Sequence, residues 1–172
     1  MEISGAEAQM RMSKFALFAF AIGSVVGSTS ALAQYDQVGA WTIMGRSSEY
    51  KGCVARARYN DGTILRFGHD SISNQKFLNM SNSIWTGETL NSPQDITMDF
   101  GRYGRFSVEA TFRQRDGMPT FEIGGLNDGF LDVFSAASSL AIIHKGMLLT
   151  RRPLNLAGTR RATRALQQCQ FG

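Results

Sequence analysis

The residues of this chain with chemistry to offer are two histidines, two cysteines, a scatter of carboxylates and a cluster of arginines toward the C-terminus. His69-Asp70, with Ser71 and Ser73 close by, could in principle orient an imidazole for base catalysis. However, no nucleophile-elbow motif surrounds either serine, and neighbours on a strand face opposite ways. His69 therefore reads as a polar strand-end residue. Neither His69 nor His144 has a ligand-spaced partner, so no zinc site is expected. Gly124-Gly125 lacks the spaced glycines and following lysine of a phosphate cradle, so no nucleotide cofactor is expected either. The carboxylates Asp95, Asp99, Glu109, Glu122, Asp128 and Asp132 are read as surface charge. No catalytic residue is assigned, and the expectation is a protein that is not an enzyme.

The order of charges is uneven. After Asp132 there is no acidic residue, whereas Lys145, Arg151, Arg152, Arg160, Arg161 and Arg164 follow. Arg160 and Arg161 fall near the start of a predicted helix, where unpaired N–H groups and the dipole favour an anion and disfavour cations. Arg151, Arg152, Arg160, Arg161 and Arg164 are therefore the proposed anion-binding residues, for phosphate, sulfate, a polyanionic glycan or an acidic partner. The competing reading pairs them with Asp95, Asp99 or Glu122. Nucleic acid is not an expected partner, because no basic run is interleaved with aromatics.

Met10 to Lys14 supplies a short basic stretch, Phe15 to Gly27 an uncharged apolar run, and Ala31-Leu32-Ala33 small residues at cleavage-site spacing, which is the order of a signal peptide. Residues 1–33 are expected to be that signal. Glu2 and Glu7 suit it badly, making Met10 or Met12 an alternative start. The apolar run is too short for a membrane span, so no stable membrane insertion is expected after cleavage. Removing 33 of 172 residues leaves 139, the size of one domain. Glu2, Glu7, Arg11 and Lys14 cancel, so residues 34–172 keep the net charge of +4. Both cysteines, Cys53 and Cys169, lie in this part, and export makes a bridge between them the simplest pairing.

These residues are carried by short β-prone runs from Val38 to about Gly125, beginning at Trp41–Met44. In Cys53–Tyr59, alternation places Cys53, Ala55, Ala57 and Tyr59 toward a core and Val54, Arg56 and Arg58 toward water. Asn60-Asp61-Gly62 is a hairpin turn leading into Thr63–Gly68. Further strands are expected at Gln75–Asn79, Ile96–Phe100, Phe106–Phe112 and Thr120–Ile123, with turns at Gly101–Gly104 and Asp116-Gly117. Phe130, Val133, Phe134 and Ala137 recur at helical spacing behind a capping Asn127 or Asp128. Leu140–His144 and Met147–Thr150 read as a hairpin of largely buried strands. Arg160–Cys169 reads as a closing helix with Ala162, Ala165, Leu166 and Cys169 on one stripe. The fold class is α+β, mainly β: an antiparallel meander, as a sandwich or curved sheet, with two short helices, one of them C-terminal.

Gly39-Ala40-Trp41-Thr42-Ile43 followed by Cys53, together with Leu154–Thr159 running into Ala162, Ala165, Leu166 and Cys169, resembles the invasion-associated locus B family. Those are small exported proteins of Gram-negative bacteria with an opening Gly-x-Trp strand and a closing Gly- and Ala-rich helix. The resemblance covers the two ends of the chain and implies a periplasmic, β-rich domain. It transfers no catalytic residue. The functional expectation is a periplasmic or secreted binding domain acting on an envelope component or partner protein. The alternative is an inhibitor of a hydrolase such as a lysozyme or protease, presenting Gly101-Arg102-Tyr103-Gly104-Arg105.

Overall fold

A computed structural model describes residues 34–46 and 51–172. The expected signal peptide, residues 1–33, lies outside the described residues. The described part is mainly antiparallel β-sheet with two α-helices, the class expected from the sequence. Its strands are β1 (Gln34–Val38), β2 (Trp41–Met44), β3 (Val54–Arg58), β4 (Ile64–Asp70), β5 (Gln75–Ser81), β6 (Pro93–Asp99), β7 (Arg105–Arg115), β8 (Met118–Ile123), β9 (Ser139–His144), β10 (Met147–Leu148) and β11 (Leu154–Asn155). Helix α1 spans Asp128–Ala136 and α2 spans Thr159–Phe171. The sheet runs β1-β2-β3-β4-β5-β8-β7-β6-β9-β10, and β11 also pairs with β9.

Turn chemistry sets much of this order. The β3–β4 turn places Gly62 at φ +85°, and the β7–β8 turn uses Asp116 and Gly117, both at positive φ, the conformation a two-residue hairpin requires. Asn127 caps α1, its side-chain oxygen accepting from the Phe130 N–H at 2.8 Å.

One face of the sheet makes the core. Leu65 and Phe67 of β4, Leu78 and Met80 of β5, Phe121 and Ile123 of β8, Phe112 of β7, Ile96 and Met98 of β6, and Leu140 and Ile142 of β9 are all buried there. The helices cover them. Phe134 of α1 meets Trp41 and Phe67 edge-on at centroid distances of 6.2 and 5.2 Å, and Ala162, Ala165 and Leu166 of α2 are buried. Burial of this much apolar surface is the main force holding the fold.

The bridge between Cys53 and Cys169 is present, with Cα atoms 6.1 Å apart. Cys53 faces the core as its alternation required, and its N–H donates to Gln170 Oε1 at 2.7 Å. Arg46 donates to the Gln170 carbonyl at 3.0 Å, so the C-terminal turn of α2 is tied down by polar bonds as well as by sulfur.

Three expectations need correction. The outer face of β3 is not simply wet: Val54 is buried against Met44 and Phe77, and Arg56 is half-buried. Arg66 of β4, on the same outer face, is buried beneath the β7–β8 turn, donating to Ser81 Oγ and Asp116 Oδ2 at 2.9 Å each. The hairpin after α1 is buried only on its first strand, since Met147 and Leu148 of β10 are exposed. Two strands, β1 and β11, are additional to the expected set: β1 is polar, and β11 is only two residues long.

Candidate functional site

The β1–β2 and β3–β4 turns face the approach to β11 along a seam, and a cleft of about 970 Å³ opens there. Its walls come from four separated segments: the β1–β2 turn, the β3–β4 turn, the approach to β11, and the chain entering α2. Each wall except the β1–β2 turn contributes a cation. Arg58 ends β3, Arg151 and Arg152 precede β11, and Arg161 stands in the first turn of α2. Among the described residues none of the four side chains makes a hydrogen bond or an ion pair, and all four residues are exposed. The one carboxylate among the described residues of the wall, Asp61, turns back to accept the Thr63 N–H at 3.0 Å.

Tyr59 closes the seam. Its hydroxyl donates to the Asn155 carbonyl at 2.9 Å, and burial, with the Asp61 charge adding, pushes its acidity far to the alkaline side of an ordinary tyrosine. It therefore stays a neutral donor at any physiological pH.

The helix behind the cleft is built to leave donors open. Gly158, in the left-handed region at φ +90°, occupies the N-cap of α2 and offers no side chain to cap it. A Cβ at Gly158 would stand 3.7 Å from the Val38 carbonyl oxygen and 3.8 Å from the Trp41 ring. Thr159 N–H bonds back to Leu156, but the first turn has no acidic residue to balance the N–H groups of Arg160 and Arg161.

A second cleft, of about 510 Å³, adjoins the first. It is lined by Arg102 and Tyr103, by residues 135–138 after α1, and by residues 156–161. Arg160 and Arg161 serve it, while Arg164, one turn further along α2, lines neither cleft. Four of the five arginines singled out in the sequence thus border the two clefts, and Arg164 stands apart. Arg58 was missed because strand alternation marked it only as solvent-facing. The signal that could have found it is its place just before Asn60-Asp61-Gly62, which puts it at a strand end beside other loops.

The carboxylates offered as partners for these arginines are engaged elsewhere or lie apart. Asp99 accepts from Arg105 at 2.6 Å, and Glu122 is held between Arg113 and Arg115. No ion pair joins Asp95 to a described residue, and its carbonyl oxygen lies 3.1 Å from His144 Nδ1.

His69 does not meet a serine. Its Nδ1 is buried without a hydrogen-bond partner among the described residues, and its ring lies 6.1 Å from that of Phe171. Asp70 instead accepts from Ser73 Oγ at 2.8 Å and Ile72 N at 3.1 Å, which hold its carboxyl below the ordinary range, and Ser71 Oγ bonds the Lys51 carbonyl. His144 is buried, with Nε2 3.1 Å from Glu88 Oε1. Lys145 Nζ reaches both Glu88 oxygens, at 3.0 and 2.9 Å. The lysine bond first, and the histidine after it, hold the Glu88 carboxyl below its usual range. This group clamps the β5–β6 loop to the β9–β10 turn.

The Gly101–Arg105 segment opens with a single 3-10 turn over Gly101–Tyr103 and runs into β7 at Arg105, with Gly101 and Gly104 at positive φ. Tyr103 packs on the core, Arg105 pairs with Asp99, and Arg102 lies over the Tyr103 ring at 4.9 Å.

The sequence matches no protein-family model and no curated protein. Among solved structures, the crystal structure of invasion associated protein B from Bartonella henselae superposes with a TM-score of 0.56 at 13% identity, over 77% of this chain and 95% of that one. The fold is similar to that of invasion associated protein B. At this identity the likeness carries architecture only.

Proposed function

We propose that this chain is an exported, non-enzymatic binding domain of the periplasm or cell surface that recognises an anionic component of the cell envelope through the arginine cleft. The observation that carries the reading is that Arg58, Arg151, Arg152 and Arg161 converge on one cleft from three separate segments with no carboxylate paired to any of them among the described residues. Like charges held together unpaired repel, and an incoming anion relieves that repulsion while forming charge-assisted bonds. All four are arginines, whose planar fork suits carboxylate, sulfate and phosphate groups bidentately. The Cys53–Cys169 bridge is in keeping with an oxidising compartment. The sequence signal at residues 1–33 supplies the route.

The test is calorimetric titration of residues 34–172 with a heparin tetrasaccharide as the anionic probe. Loss of one charge-assisted contact of about 1.5–3 kcal/mol corresponds to at least tenfold in affinity. Arg152→Glu is expected to show that loss. Arg164→Glu makes the same charge change on an exposed residue outside the cleft and is expected to bind like the parent. Equal losses in the two variants, or no binding by the parent, would overturn the assignment.

A further inference from the structure

The two clefts are not separate features. They share Ala157, Gly158 and Arg161, so the wall of one continues into the wall of the other around the start of α2. Following that wall, cations succeed one another from Arg58 and Arg152 on one side, through Arg161 at the junction, to Arg160 and Arg102 on the other. Among the described residues Arg102 is engaged only by its neighbour: its guanidinium reaches the Tyr103 hydroxyl at 3.0 Å and lies over the ring. Among the described residues no carboxylate lines the second cleft, and Asp61 is the only one in the first.

The groups between the arginines are informative. Asn60 and Asn155 line the first cleft, and Ser135 and Ser138 the second. The Asn155 side-chain oxygen is committed to the Ala157 N–H at 2.8 Å, which leaves its amide N–H groups to donate. Neutral amides and hydroxyls spaced between fixed cations suit a chain whose charged groups are separated by hydroxyl-bearing units. They do not suit single-stranded nucleic acid, which needs open aromatic faces on which bases stack. The two aromatics lining the clefts are both occupied, since Tyr59 is half-buried with its hydroxyl bonded across the seam and Tyr103 carries Arg102 on its face.

We propose that the two clefts form one continuous track for an elongated polyanionic glycan, with Arg102 and Arg160 as a distal subsite. This rests on the reading of the first cleft as an anion site and adds to it the length and chemical class of the ligand. Occupying both halves with one molecule makes the second set of contacts intramolecular, so a long chain gains affinity that a short one cannot.

The experiment compares a heparin tetrasaccharide with a heparin hexadecasaccharide on the parent chain and on R102E/R160E. The double variant is expected to bind the tetrasaccharide like the parent and to lose about tenfold on the hexadecasaccharide, with a shallower salt dependence because fewer charges are neutralised. If the variant binds the hexadecasaccharide as tightly as the parent does, the track is refuted while the first cleft stands. Tetrasaccharide binding that fails in the parent refutes the anion cleft itself, and the track with it. A sixteen-nucleotide single-stranded DNA that binds the parent more tightly than the hexadecasaccharide refutes the glycan class.

Discussion

Replacing both bridge cysteines, Cys53→Ala with Cys169→Ala, tests how the end of the chain is held. The bridge closes a loop with a sequence separation of 116. In the chain-entropy treatment a loop of that size removes about 5 kcal/mol of freedom from the unfolded chain, and measured bridges usually deliver roughly 2–4. The native side gives a reason to expect the lower part of that span. Gln170 still accepts from Arg46 and Cys53 through its two oxygens, and Ala162, Ala165 and Leu166 still dock on the core, so α2 keeps its seat without sulfur. We therefore expect a loss of about 2–3 kcal/mol, read as a fall in the urea midpoint and, for a domain of this size, about 10 °C in Tm. The slope of the urea transition should rise, because an uncrosslinked unfolded chain exposes more surface. A loss below about 1 kcal/mol with an unchanged slope would refute the reasoning, because the bridge would then be constraining neither state.

Other outcomes follow from the core and from the Glu88 clamp. Phe134→Ala removes a fully buried ring that touches Trp41, Phe67, Phe100 and Phe130, and is expected to cost about 3–5 kcal/mol in urea denaturation with the fold retained. The Glu88 carboxyl is held below its ordinary value of 4.5, so its contribution is fully present above that pH and is lost as pH falls through the lower folded value. Glu88→Gln should therefore lower stability at neutral pH and flatten the acid limb of a Tm-versus-pH curve, whereas an acid limb identical to that of the parent would show that Glu88 is not coupled to folding. The affinity losses expected for Arg152→Glu and for R102E/R160E complete the set.

Sequence and structure agree where local chemistry and tertiary packing point the same way. Alternation in residues 53–59 directed Cys53 inward, helical spacing located Phe130 and Phe134, and Asn60-Asp61-Gly62 and Asp116-Gly117 turn where their backbone freedom allows. Arg66 defeats the same logic, because a charged residue in alternation reads as solvent-facing unless a distant turn folds over it, and Asp116 comes from fifty residues away. The buried hairpin expected after α1 fails for a related reason: Met147 and Leu148 are apolar, but they sit at the outer edge of β9 with nothing described beyond them. Of the candidate site, charge order exposed the C-terminal arginines. Arg58 and Arg102 belong to it only because the segments that carry them fold against residues 151–161, which no local pattern encodes.

That seam has a consequence for motion. Ile64–Gly68 of β4 are buried on both faces, so their amides should exchange with solvent only when the whole domain opens, while β10 and β11 at the margin exchange through local fraying. The Tyr59–Asn155 bond crosses from the β3–β4 turn to one of those marginal strands. A ligand laid along the arginines would bridge the same gap, and its first signature in hydrogen exchange should be slowed amides in residues 151–158, with those of β4 unchanged until global stability itself rises.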